Sequence, residues 1–556
     1  MKFCTKCGLK EQDNSAIFCK KCGNKLNSTK YHPKTRRELN ELLDRSDVEY
    51  SEIDVSDITD MAYLFAEDFA DNLYDPYDPY YKKAHKLKKN TSGLIYWNVS
   101  NVKNMKAMFR SAKSFNQPIG NWDVSKVEEM QEMFCGATSF NQPIENWDVS
   151  NVLNMSRMFC GAKSFNQPIG NWDVSNVKGD ERFKPEITFV FPPEGWEDKY
   201  EISGDMSEMF KGATSFNQPI GNWDVSRVGN MQGMFSGATS FNQPIEKWDV
   251  SKVENMEGMF GGATSFNQPI EKWDVSNVFT MSSMFKDAIS FNQPIGKWNV
   301  SNVVYMEAMF KGATSFNQPL EKWCVYKVEN MNEMFKNATS FNQPLEKWYV
   351  SNVESMEGMF SGATSFNQPI GNWNVSKVKD MESLFNGATS FNQPIGNWDV
   401  SMVSNMRAMF KNAISFNQPI GNWDVSMVKE YELYSIHIPG RDCEYVPSGD
   451  MSEMFCGATS FNQTLEKWDV SKVKNMSEMF SGATSFNQPL EKWDVSNVKD
   501  MSEMFSGATS FNQTLENWNM SNVKYTCKIF EGATSFDQLI GNCRVLKNYG
   551  EIIKHS

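Results

Sequence analysis

The phrase S-F-N-Q-P-[IL]-x-x-W-[DN]-V-S-x-V-x-x-M-x-x-M-F recurs about every twenty-five residues. The Phe of its F-N-[QD] core stands at Phe115, Phe140, Phe165, Phe216, Phe241 and onward to Phe536, sixteen times in all. A fixed period of this length marks a solenoid: each repeat is one coil, too small to bury its apolar side alone, and stacking on neighbours completes a continuous core. This overrides the roughly three or four globular domains that 556 residues would otherwise suggest.

Composition narrows the function classes. Met (34) and Phe (40) are heavily used because the repeat spends them in every unit. The mean hydropathy is −0.52, and no apolar run approaches the roughly 18 residues needed to cross a bilayer. Without a signal-peptide h-region or an anchor, a cytoplasmic location is the expectation. The net charge of −13 argues against the repeats tracking a phosphate backbone, which would need a basic stripe. Only four His exist (His32, His85, His437, His555), none at a repeat position. With no phosphate-binding Gly loop or nucleophile elbow, an enzyme is not expected.

The chain opens with two matching knuckles, Cys4-x-x-Cys7-Gly8 and Cys19-x-x-Cys22-Gly23. Two residues between cysteines let both thiolates converge on one tetrahedral ion, and the Gly tolerates the tight turn whose amides face sulfur. Residues 1–28 therefore read as a zinc ribbon with Cys4, Cys7, Cys19 and Cys22 as ligands of a structural Zn2+, whose binding supplies the folding free energy. Seven Lys against one Glu and one Asp make residues 1–30 locally basic. Solvated lysines explain this more simply than weak nucleic-acid contact, since no aromatic stacking platform accompanies them.

Residues 31–53 read as linker and N-terminal cap. Thr35-x-x-Glu38 is a capping box, followed by Leu39, Leu42 and Leu43, which predicts a short helix over 35–45. Ile53 to Phe65 repeats the later V-S-x-V-x-x-M-x-x-M-F grammar as a worn first coil, and the proline- and charge-rich segment 71–90 reads as an exposed insertion. In the type unit, Met130, Met133 and Phe134 suit one inward-facing short helical turn, the flexible thioethers filling the core. Ser-Phe-Asn-Gln-Pro-Ile suits a short parallel strand, with Phe115 and Ile119 inward and Asn116 in a ladder along the stack. Pro118 removes one amide from that column. Trp122 belongs at a corner where its indole N–H meets a carbonyl. The Asp or Asn after the Trp of each full repeat, replaced only by Cys324 and Tyr349, closes an Asx turn more readily than it forms a file of cation ligands. Glu–Lys pairs such as Glu321-Lys322 and Glu346-Lys347 can meet diagonally between coils. The residue after each Met-Phe varies (Arg110, Cys135, Cys160, Lys211, Ser236), which marks it as exposed. Cys135 and Cys160 are near enough for a disulfide in principle, with reduced thiols as the default.

Trp172 to Trp223 and Trp423 to Trp468 are over-long intervals. Segments 178–205 and 429–450 keep fragments of the phrase (Phe189, Pro192 and Trp196; Pro439 and Cys443), so they read as decayed coils through which the stack continues, with protruding β-hairpins as the alternative. As the least uniform surfaces they are the first choice for specific contacts. The solenoid then spans 54–540 in about nineteen coils, and 541–556 form a C-terminal cap or tail.

The grammar V-x-x-M-x-x-M-F-x-G-A-x-x-F-N-x-x-I-x-x-W-D-V-S resembles the BspA-like leucine-rich-repeat surface proteins, in the 25-residue variant common in mycoplasmas. Tyr31-His-Pro-Lys-Thr35 and the helix after it resemble that family's lead-in. The resemblance implies a leucine-rich-repeat-like solenoid, adhesion or protein binding at a cell surface, and no catalytic residues. The leading expectation is a non-enzymatic protein-binding scaffold. The alternative is a nucleic-acid-associated adaptor in which the ribbon docks and the solenoid recruits.

Overall fold

The computed structural model describes residues 2–4, 10–11, 26–67, 84–178, 206–429, 451–541, 543–546 and 551–554. They fall into two compact units, Met1–Asn277 and Val278–Ser556.

The first unit begins with β1 (Lys2–Cys4), β2 (Lys10–Glu11) and β3 (Leu26–Ser28), antiparallel in the order β2-β1-β3. Helix α1 follows at Arg36–Leu43. Its cap forms as the sequence predicts, the Glu38 amide donating to Thr35 Oγ1 at 3.2 Å. The reciprocal half is shifted by one residue, since the Glu38 carboxylate accepts from the Lys34 amide at 2.6 Å. Leu39 and Leu43 are buried and Leu42 is half-buried. The inserted segment is not exposed at its end. His85 is 6% exposed, donates its amide to Leu64 at 2.9 Å, and places its ring 3.1 Å from Asn40 Oδ1 and 3.2 Å from Asp44 Oδ1. A sequence reading weighed the prolines and lysines of 71–90 and missed this one residue, which ties the insertion to α1. Residues 68–83 lie outside the described residues.

Each coil is built from turns. In the type unit the amides of Met133, Cys135 and Ala137 donate three residues back, to Met130, Glu132 and Phe134, at 3.0–3.2 Å. The alternate amides point out of the coil: Met130, Glu132, Phe134 and Gly136 donate to Asn154, Ser156, Met158 and Cys160 of the next coil, at 3.2, 2.9, 2.9 and 2.6 Å. No side of the coil can form a helix under this division, because half of its amides are committed to the neighbour. The expected helical turn is therefore replaced by consecutive turns, kinked by residues with positive φ at Glu132 (58°) and Gly136 (71°). Glycine fits the second column for this reason, and Asn337 and Asn412 occupy it elsewhere at φ 58° and 55°.

The parallel bridges sit beside the Met columns, as in Asn104↔Glu129↔Asn154. The expected strand at Ser-Phe-Asn-Gln-Pro-Ile is not one, since those residues carry no strand assignment. Its place is taken by a side-chain ladder. Asn116 Oδ1 accepts from the Asn141 amide at 3.0 Å and from Gln142 Nε2 at 3.1 Å, and Asn141 Oδ1 repeats this for Asn166 and Gln167 at 2.9 and 2.8 Å. The ladder expected of Asn116 thus exists, with the side-chain oxygen replacing a backbone carbonyl as acceptor.

The core is a set of aromatic columns. Phe134 lies 4.0 Å from Phe140 in its own coil and 5.7 Å from both Phe109 and Phe159 in the coils on either side. Trp147 and Trp172 stack at 6.5 Å. Each indole N–H meets a carbonyl of the preceding coil, Trp147 Nε1 donating to Ile119 at 3.2 Å, as the corner reading anticipates. Met130, Met133, Phe134, Phe140 and Ile144 are fully buried.

The two long intervals add no layer. Across the first, Phe159 stacks on Phe210 at 5.7 Å, Phe165 on Phe216 at 6.1 Å, and Gly161 donates to Lys211 at 2.6 Å. Across the second, Phe410 meets Phe455 at 5.6 Å and Trp423 meets Trp468 at 6.5 Å. These are the ordinary neighbour spacings, so no coil intervenes. The expectation of a stack continuing through decayed coils, and with it the count of about nineteen, is corrected. The conformation of 179–205 and 430–450 lies outside the described residues.

The second unit repeats the same grammar from Phe285 to Phe530, with successive ring centroids of that column 5.4–5.8 Å apart. The tail carries an antiparallel pair, β4 (Cys543–Leu546) and β5 (Glu551–Lys554).

Candidate binding surface and metal centre

A solenoid presents its variable columns as faces, so a site is found where a column stops repeating. At the corner after Trp, the Asx turn is the rule. Asp123 Oδ1 accepts from the Ser125 amide at 3.2 Å, Asp249 from Ser251 at 3.1 Å, Asp399 from Ser401 at 3.1 Å and Asp494 from Ser496 at 3.0 Å. Hydrogen bonds from these serines, side chain and then backbone, hold Asp249, Asp399 and Asp494 below the ordinary carboxylate range. Each carboxylate has local donors, which supports the turn reading of this column.

The rule fails at one place in the second unit. The column reads Asn299, Cys324, Tyr349, Asn374: Asn299 and Asn374 still accept from the Ser301 and Ser376 amides at 3.2 and 3.1 Å, whereas Cys324 and Tyr349 supply no Asx oxygen, and Tyr326 stands where Ser caps the turn. Tyr349 is 64% exposed and Tyr326 40% exposed, and Cys324 is exposed. Beside them Lys297, Lys322 and Lys347 form an exposed column. Lys347 reaches Glu321 of the preceding coil at 2.7 Å, the diagonal pair expected from the sequence. Lys327 lies 5.8 Å from the Tyr326 ring centre and donates to Asn302 at 2.8 Å. Lys377 donates to Asn352 at 2.9 Å. Two tyrosines thus stand at a corner that elsewhere holds Asp and Ser, beside a lysine column that also flanks intact corners at Lys247 and Lys272. Cys324 and Tyr349 were legible as exceptions. Tyr326 was missed, and aligning the Ser column would have found it.

The face beside the Met columns carries ion pairs. Burial opposes the charge of Glu453, but Lys411 and Arg407 hold it below the usual range, the Arg407 contact being 3.1 Å. The residue after Met-Phe is half-buried at Arg110, Cys135, Cys160 and Ser236, and exposed at Lys211. Variation there had suggested full exposure.

Of the four expected zinc ligands, Cys4 ends β1 opposite Leu26 of β3. Cys7, Cys19 and Cys22 lie outside the described residues. A set of four thiols suits tetrahedral zinc. Among the described residues no group of three or more His, Cys, Asp or Glu could hold a metal ion, and no helix is long and apolar enough to cross a membrane.

Coils of one length, stacked in register with a shared aromatic core, define a tandem-repeat solenoid protein. The chain belongs to the repeat family described as "Mycoplasma protein of unknown function, DUF285", which matches residues 78–189, 195–288, 268–368, 343–435 and 446–545. No curated protein matches it. Among solved structures, the crystal structure of a TLR13–ssRNA13 complex is similar at 8% identity, covering 80% of this chain and 73% of that one with a TM-score of 0.17. A likeness that shallow leaves fold and ligand to be argued from this chain's own geometry.

Proposed function

We propose that the chain is a non-enzymatic protein-binding scaffold, and that the corner around Tyr326 and Tyr349 is its contact surface. The observation that carries this is the replacement of a stabilising Asx corner by two exposed aromatics. Tyrosine supplies large contact area at low conformational cost and is enriched in interface cores. The neighbouring lysines suit a partner with an acidic surface. Presentation at a cell surface, as an adhesin of the BspA-like kind, is the fuller form of this reading.

The test restores the repeat. Cys324→Asp, Tyr326→Ser and Tyr349→Asp together rebuild both corners. Urea denaturation should show a gain of about 0.5–1.5 kcal/mol for each regained hydrogen bond. Affinity for a partner captured with the natural chain and purified should fall at least about tenfold, roughly 1.4 kcal/mol. Equal affinity in the repaired protein would refute this surface.

The proposal includes a structural zinc ion held by Cys4, Cys7, Cys19 and Cys22. Metal analysis should give one zinc per chain. Cys7→Ser together with Cys22→Ser should abolish it, and leave the solenoid's denaturation midpoint unchanged.

A further inference from the structure

Cys135 and Cys160 occupy one column on successive coils, both half-buried and reduced. Their coils are locked in register by the bond from Gly136 to the Cys160 carbonyl at 2.6 Å. The adjoining rings, Phe134 and Phe159, are 5.7 Å apart. The two thiols are close enough for each to influence the ionisation of the other. Bridged cysteines have Cα atoms about 4.4–6.8 Å apart, so neighbouring positions in one column suit a link without rearranging the stack.

A chain of ion pairs surrounds these thiols. Arg110 meets Glu132 at 2.8 Å, Glu132 meets Arg157 at 3.7 Å, Arg157 meets Glu208 at 3.1 Å, and Glu208 meets Lys211 at 2.6 Å. Glu132 is 7% exposed. Arg110 and Lys211 are the next members of the cysteine column itself, one before Cys135 and one after Cys160. The pair is therefore closed at both ends by cations, with Arg157 beside it.

We propose that Cys135 and Cys160 form a dithiol modification site that reacts with low-molecular-weight disulfides and closes into a bond between two coils. The Cys160 thiolate attacks one sulfur of the reagent RSSR, forming a mixed disulfide and releasing RS⁻. Cys135 then gives its proton to that thiolate and attacks the Cys160 sulfur, expelling the second RS⁻, which takes a proton from water. Two protein thiols are oxidised by two electrons and one RSSR is reduced to two RSH.

The division of labour follows from the surroundings. Interaction with the Cys135 thiol, then the charges of Arg157 and Lys211, outweigh burial and hold Cys160 below the ordinary thiol range. The same interaction and burial push Cys135 up. Nucleophilicity belongs to the thiolate, so Cys160 attacks and Cys135 resolves. The second unit supplies an internal contrast. Cys456 holds the same column position, but burial and the neighbouring Glu478 and Glu453 outweigh Lys411 and push it up to about 11.

The experiment uses the full chain with zinc present. Alkylation by iodoacetamide between pH 5 and pH 10, read by peptide mass spectrometry, should show Cys160 reacting at lower pH than Cys456 or the exposed Cys324. Cys456 should react far more slowly at neutral pH. Oxidation with 2-hydroxyethyl disulfide should yield a linked peptide pair holding Cys135 and Cys160. Cys135→Ser should halt the sequence at a mixed disulfide on Cys160, and Arg157→Gln should move the alkylation midpoint upward. Variants that keep the natural denaturation midpoint are the ones read. Alkylation of Cys160 no earlier in pH than the exposed Cys324, or persistent mixed disulfides on both thiols with no linked pair, would overturn the assignment.

Discussion

Phe235→Ala should cost the first unit about 3–5 kcal/mol, the range for removing a buried aromatic side chain. Phe235 is fully buried. It lies 5.7 Å from both Phe210 and Phe260, 4.0 Å from Phe241 and 6.2 Å from Trp248. Truncation leaves a void against four rings, and the flanking layers cannot close it because their backbones are held in register by the interlayer bonds. Stability in a solenoid is a sum of coil terms and nearest-neighbour terms. A weak layer should therefore also broaden the urea transition or divide it in two, as coils on either side lose their coupling. Phe530→Ala makes the comparison. That ring is 5% exposed, with Phe505 at 5.4 Å on one side and no later ring of its column among the described residues, so its loss should be smaller. Equal losses, with transitions equally sharp, would contradict a neighbour-by-neighbour account.

The second large effect lies in the side-chain ladder. Asn242 Oδ1 accepts from the Asn267 amide and from Gln268 Nε2, each at 3.0 Å. Asn242→Ala removes one acceptor and strands two donors, one of them a backbone N–H. Leaving a buried donor unsatisfied costs about 1–3 kcal/mol, and these half-buried donors belong at the lower end of that range. Asn242→Asp keeps an oxygen in place and should lose much less. Hydrogen exchange at the Asn267 amide separates the two cases. Fast exchange in the Ala variant and near-natural protection in the Asp variant are expected, and equal exchange in both would show that the side-chain oxygen is not the partner that matters.

The columns were legible because periodicity reports burial directly: Met130, Met133, Phe134, Phe140 and Trp147 recur at fixed offsets, and all are inside. The Asx corner was legible because Asp and Asn exchange there. What periodicity cannot report is where amides point. Met-x-x-Met-Phe has the apolar spacing of a helical turn, yet alternate amides leave the coil, and only the Gly in F-x-G-A hinted at the positive φ that allows it. Phe-Asn-Gln-Pro looked like a strand because its apolar residues face inward, but Asn116 supplies the acceptor from its side chain. The proposed contact corner was half visible: Cys324 and Tyr349 broke a tally, whereas the exposure of Tyr326 needed coordinates. The ion pairs around Cys135 and Cys160 join positions up to 51 residues apart, and no local pattern announces them.

The ladder bond from Asn217 to Asn166 spans 51 residues and that from Asn462 to Asn417 spans 45, where their counterparts span 25, yet lengths and partners are unchanged. Adjacent coils thus recognise each other whatever contour length joins them. Loop closure costs only about 0.6 kcal/mol for each doubling of length. Foreign sequence can therefore be spliced between Lys178 and Met206, or between Lys429 and Met451, and exchanged while the pairing of the flanking coils is inherited intact.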